Sequence, residues 1–188
     1  MNGRHHLVSG AASLATVAGG TALVYLKASP DAAGAFVSFA FQGFPIASPF
    51  TALCVAAYML GTVLPDADSP SSPIARHGRV PFRHRTWMHS LWPVVLLAAA
   101  GWFARPLMWL AAGYLVHLFW DSLSRMGVCW LYPHPGFIEY GHARVKRNHW
   151  LWFYHNGTAM ETATCWSSVV IAAIVWGIVA YFSLVPPA

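Results

Sequence analysis

Apolar and polar positions fall along this chain in long blocks, not at a short period. Residues 7–26 carry no acidic or basic side chain, and a connection rich in Gly, Ala and Pro follows, including FQGFP. Further apolar runs cover 47–64, 90–104, 106–121 and 163–185. A membrane crossing takes about 20 apolar residues, so the middle three runs are short. Their polar ends are tolerated where they line a cavity. Arg105-Pro106 interrupts the third and fourth runs. One unbroken helix over 91–123 would be about 50 Å long at 1.5 Å per residue, more than a bilayer core, so the break predicts a hairpin. The pattern predicts an all-α fold: a polytopic transmembrane helical bundle of about five spans. One integral membrane domain would cover 1–188, with spans near 7–26, 47–64, 90–104, 106–121 and 163–185 and inner-face loops at 65–89 and 124–162.

Composition sharpens this expectation. The chain is 57% hydrophobic and 9% charged, against about 25% charged in a soluble domain. The net charge of +5 would suit nucleic acid, but its placement suits a membrane flank. With the N-terminus inside, nine basic residues (Arg4, Arg76, Arg79, Arg83, Arg85, Arg125, Arg144, Lys146, Arg147) lie on inner segments. Only Lys27 and Arg105 lie outside, a clear positive-inside bias. The run at 7–26 is long for a signal peptide and lacks a clean cleavage site, so it is expected to be a retained helix. Cys54, Cys129 and Cys165 have no CxxC spacing and read as small apolar residues.

The polar residues that interrupt the greasy blocks cluster at one expected membrane face. His117 and Asp121 are four apart, on one side of a helix, in an otherwise apolar run. Such ionisable groups are costly and point to function, although a His–Asp pair can also lock a helix contact. Asp66 and Asp68 follow Pro65; alone they read as turn chemistry. Together with His84, His89, His117 and Asp121 they offer six nitrogen and oxygen donors, suited to zinc, manganese or iron. One ion with supporting groups, or two ions sharing a carboxylate, would fit. Arg85 is placed to hold an anionic oxygen. Ser90 caps the third run or meets a substrate oxygen, and His134 and Glu161 are further candidates for contact with the site. The stretch carrying Trp150, Trp152, Phe153 and Tyr154 with Arg144, Lys146 and Arg147 reads as a lipid-facing interface, and no nucleic-acid partner is expected. His5, His6 and His77 draw no functional assignment.

LPDAD at 64–68, HRTWMHS at 84–90, GYLVHLFWDSLSRMGVCWLYP at 113–133 and GTAME at 157–161 resemble the YdjM-like family of inner-membrane metal-dependent hydrolases. The family pattern is LPDxD, HRGxTHS, GYxxHLxxDxxTxxGxxxLxP and a late GxxxE, and the likeness covers most of residues 60–161. His84, Arg85, His89 and Ser90 match the second element; Asp66, Asp68, His117 and Asp121 match the others. Thr86-Trp87-Met88 replaces the family's Gly-x-Thr, and Ser124 stands near its threonine. The resemblance implies a bacterial cytoplasmic (inner) membrane protein with hydrolase activity.

The expectation is therefore metal-dependent hydrolysis at the cytoplasmic face, with the N-terminus inside. Asp66, Asp68, His84, His89, His117 and Asp121 would hold one or two divalent ions, zinc or manganese. His84, Arg85 and Asp68 would serve catalysis, and metal-activated water would attack a phosphoester of a membrane lipid or lipid-linked substrate. An ester or amide substrate is one alternative; a non-catalytic membrane protein with a structural metal or ion-pair network is another. Its site would be closed where a catalytic one keeps an open position.

Overall fold

The computed structural model describes residues 3–27, 31, 48–69, 86–124, 127–133, 154 and 157–184. Among these the fold is all-α, with five α-helices: α1 (Gly3–Lys27), α2 (Pro49–Gly61), α3 (Leu91–Ala100), α4 (Arg105–Ser122) and α5 (Ala159–Leu184). Short 3-10 turns at Leu64–Asp68 and Trp87–His89 join them.

Local chemistry sets the boundaries. Ser48 caps α2 by accepting the Thr51 N–H at 3.1 Å, and Pro49 opens the helix where no N–H is needed. Pro106 does the same for α4. Between α3 and α4 the chain turns at 101–104, and Gly101 lies against Met108. The two helices form an antiparallel hairpin, with Val94 packed among Ala111, Tyr114 and Leu118.

Helices α1 and α5 run side by side in the same direction. Near their starts, His5 meets Glu161; farther along, Trp176 donates to the Ala15 carbonyl at 3.0 Å. Helices α2 and α4 are also parallel, and there two backbones nearly touch. A Cβ on Gly61 would lie 2.3 Å from the Leu110 carbonyl oxygen, and one on Gly113 would lie 2.0 Å from that of Tyr58. Only glycine admits this approach. Gly10 brings α1 against Thr62 in the same way, its Cβ position 2.5 Å from the threonine methyl, and Tyr58 donates to the Gly10 carbonyl at 3.1 Å.

The five-span bundle is not what the chain builds. Helices α2 and α3 have 13 and 10 residues, about 20 and 15 Å at 1.5 Å per residue, short of a hydrocarbon core of about 30 Å. Helix α4 begins at Arg105 and buries His117 and Asp121. Among the described residues only α5, over Ala159–Phe182, is long and apolar enough to cross a membrane. Much of the remaining apolar pattern lies on the molecular surface: Leu53 and Leu60 on α2, Val95 and Leu96 on α3, Ile171 and Ile174 on α5 are all exposed.

Candidate metal centre

One end of the fold gathers the starts of α1, α3 and α5 and the ends of α2 and α4. Asp66 sits on the 3-10 turn after α2, and His89 on the turn before α3. His117 and Asp121 occupy the last turns of α4. Each of these four offers a donor atom within 4.8 Å of all the others. His89 Nε2 lies 3.5 Å from Asp66 Oδ1 and 3.6 Å from Asp121 Oδ2. His117 Nε2 lies 3.7 and 3.9 Å from the same two oxygens. Four donors about 2.1 Å from a tetrahedral ion would stand roughly 3.4 Å apart, so this cage needs little adjustment to close.

The surroundings aim these donors inward. The Nδ1–H of His117 donates to the Thr62 carbonyl at 2.9 Å, leaving Nε2, which is buried and has no hydrogen-bond partner, free as a ligand. Asp68 is buried on the other side of His89, with Oδ2 3.8 Å from its Nδ1. It stands outside the four-donor group, behind the ring and beyond direct hydrogen-bond distance of Nδ1. Such outer carboxylates and carbonyls fix imidazole orientation at metal sites. Burial, and then the neighbouring His6, hold His117 below the ordinary imidazole range, which keeps it neutral as metal binding requires. Burial alone would raise the Asp66 carboxyl, but the imidazoles around it, His89 first, outweigh burial and hold it below the ordinary carboxylate range. Two imidazoles and two carboxylates are a donor set for a divalent ion.

Ser90 is buried and its hydroxyl donates to the Trp87 carbonyl at 2.7 Å; it makes no side-chain cap on α3. Glu161 is fully buried in the first turn of α5, where it accepts from the Gly157 N–H and stands 2.8 Å from His5 Nδ1. It ties α5 to α1 and is not one of the four donors. His84, Arg85 and His134 lie outside the described residues. Tyr154, expected at a lipid interface, is instead 2% exposed and packs against Leu123 and Cys165, with its hydroxyl donating to the Trp120 carbonyl.

His6 was missed by sequence reasoning. It is 1% exposed and stacks on His117, with ring centroids 3.7 Å apart. The one available signal was helical phase. Residues 6, 9, 10 and 13 share a face of α1, and this face carries the small side chains Ser9, Gly10 and Ser13.

A family model described as YdjM inner membrane protein matches residues 1–185. The chain belongs to the YdjM family of inner membrane proteins. No curated protein and no solved structure matches it. Membership in the YdjM family, together with the apolar α5, makes this a membrane-associated protein. It also explains the exposed apolar side chains, which are costly in water and cheap against lipid.

Proposed function

We propose that this YdjM-family protein is a membrane-bound metal-dependent hydrolase acting on a phosphoester of a lipid or lipid-linked substrate. The observation that carries the reading is the convergence of His89, His117, Asp66 and Asp121 on one point, with Asp66 alone partly open. Its side chain is 20% exposed while the other three are sealed. A catalytic site keeps a coordination position open, so here water or substrate would join on the Asp66 side, as a fifth ligand or by displacing that carboxylate.

A divalent ion held there, zinc or manganese, would polarise a phosphoryl oxygen and lower the pKa of an adjacent water. The chain's own residues do the rest. His89 and His117 would present ring nitrogens, Asp66 and Asp121 would balance the charge, and the Thr62 carbonyl fixes the His117 ring, with Asp68 standing behind that of His89. Arg85 would hold an anionic substrate oxygen and His84 would carry a proton or add a ligand, both within five residues of His89 along the chain. Along the sequence, 70–85 lies between the two 3-10 turns of the metal end, and 123–158 lies between the end of α4 and the start of α5. Eight of the basic residues fall in those two segments, and Arg4 opens α1 nearby. Lys27 and Arg105 stand at the opposite helix ends. This asymmetry supports a cytoplasmic metal end and a cytoplasmic N-terminus.

The test is elemental analysis of detergent-purified protein, then turnover of phosphodiester, phosphomonoester and carboxylic ester reporters. The His117→Ala, Asp121→Ala double variant should lose both metal and turnover. Metal retained at wild-type occupancy would remove these residues as ligands. Wild-type turnover no greater than the variant's on every reporter would favour a structural metal.

A further inference from the structure

We propose that His6 builds a second cation position beside the first, with Asp66 and Asp121 bridging the two. The inference rests on the metal-centre reading above. Each carboxylate is split between two sides. Asp66 Oδ1 and Asp121 Oδ2 face His89 and His117, at 3.5–3.9 Å. The opposite oxygens face His6, whose Nε2 lies 3.3 Å from Asp121 Oδ1 and 3.9 Å from Asp66 Oδ2. His6 is buried, and neither of its ring nitrogens has a hydrogen-bond partner. Burying an imidazole in this way is costly, and a cation on Nε2 would remove the share borne by that nitrogen.

The spacing suits a pair of ions. Two-metal hydrolytic sites hold their ions about 3.5–4 Å apart. The stacked rings of His6 and His117, with centroids 3.7 Å apart and planes 18° from parallel, would each supply one ion at that separation. The first position has two imidazoles and two carboxylate oxygens; the second has one imidazole and two. The second is therefore the more open and is where an anionic substrate oxygen would join. Two dications outweigh the carboxylates of Asp66, Asp68 and Asp121, which favours a phosphate-bearing substrate over a neutral one.

The experiment is a manganese titration of the full chain, purified in detergent and stripped with EDTA. Wild type should bind two equivalents, the second producing an exchange-coupled electron paramagnetic resonance spectrum. His6→Ala and His6→Phe should bind one, with the second weakened 100-fold or more and the coupled spectrum lost. The phenylalanine keeps a ring against His117. Helix content by circular dichroism verifies that the variants fold, and the wild-type count stands without them. Wild type saturating at one equivalent, or either variant keeping two with the coupled signal, overturns the second position and leaves the first intact. Wild type binding no manganese, zinc or iron overturns both.

Discussion

The metal centre depends on how closely α2 and α4 approach, and Gly113→Ala tests that dependence. The new methyl would lie 2.0 Å from the Tyr58 carbonyl oxygen, 2.9 Å from its carbonyl carbon and 3.2 Å from the Cα of Gly61. These neighbours are backbone and cannot swing aside, so the helices must separate by roughly 1 Å or more. His117 lies one turn beyond Gly113, and its 2.9 Å bond to the Thr62 carbonyl spans the same seam. That bond would stretch past hydrogen-bonding range. Overpacking costs about 1–3 kcal/mol, and a buried hydrogen bond lost costs about 1 kcal/mol more. At about 2–4 °C per kcal/mol for a chain of this size, melting should fall by roughly 5–15 °C. Metal affinity should fall about 10–100-fold, as when a histidine ligand loses its outer partner. Thermal melts by circular dichroism with EDTA, and metal titrations at a temperature where both proteins are folded, separate the two effects. Gly177→Ala is the control: apart from its own stretch of helix backbone, nothing lies within 4 Å of its Cβ position, so helix propensity alone acts and stability should hold or rise by up to about 1 kcal/mol. Wild-type melting and metal affinity in Gly113→Ala would refute the reasoning.

Two further substitutions probe the supports of the site. Asp68→Asn should weaken the first metal equivalent by about 10–100-fold while leaving helix content unchanged, because it alters the group behind His89 and not a donor; unchanged affinity in the titration would deny that role. His5→Ala removes one partner of a fully buried Glu161 and should cost about 1.5–3 kcal/mol in thermal or denaturant unfolding measured with EDTA. Glu161→Gln should recover part of that loss in the His5→Ala background, and an additive result would argue against the pairing.

Sequence by itself determined the metal-capable donor set and its rough location. LPDAD, HRTWMHS and the His117–Asp121 pair placed the donors beside helix ends, because ionisable groups inside or at the edges of apolar runs stand out whatever the fold. It also determined an all-α chain with a lipid-compatible surface. Tertiary structure decided how many runs are long enough to cross. An apolar stretch looks the same whether it spans a bilayer or stops after 10 residues, as α3 does. Structure likewise decided the fates of His5 and His6, neighbours in sequence about 100° apart on a helix. Gly10 against Thr62 sets the rotation of α1, turning His6 onto His117 and His5 onto Glu161. The same packing put Asp68 behind His89 and Tyr154 in a buried cluster. Which face of a helix points inward is a property of its partner, and no window along one chain contains the partner.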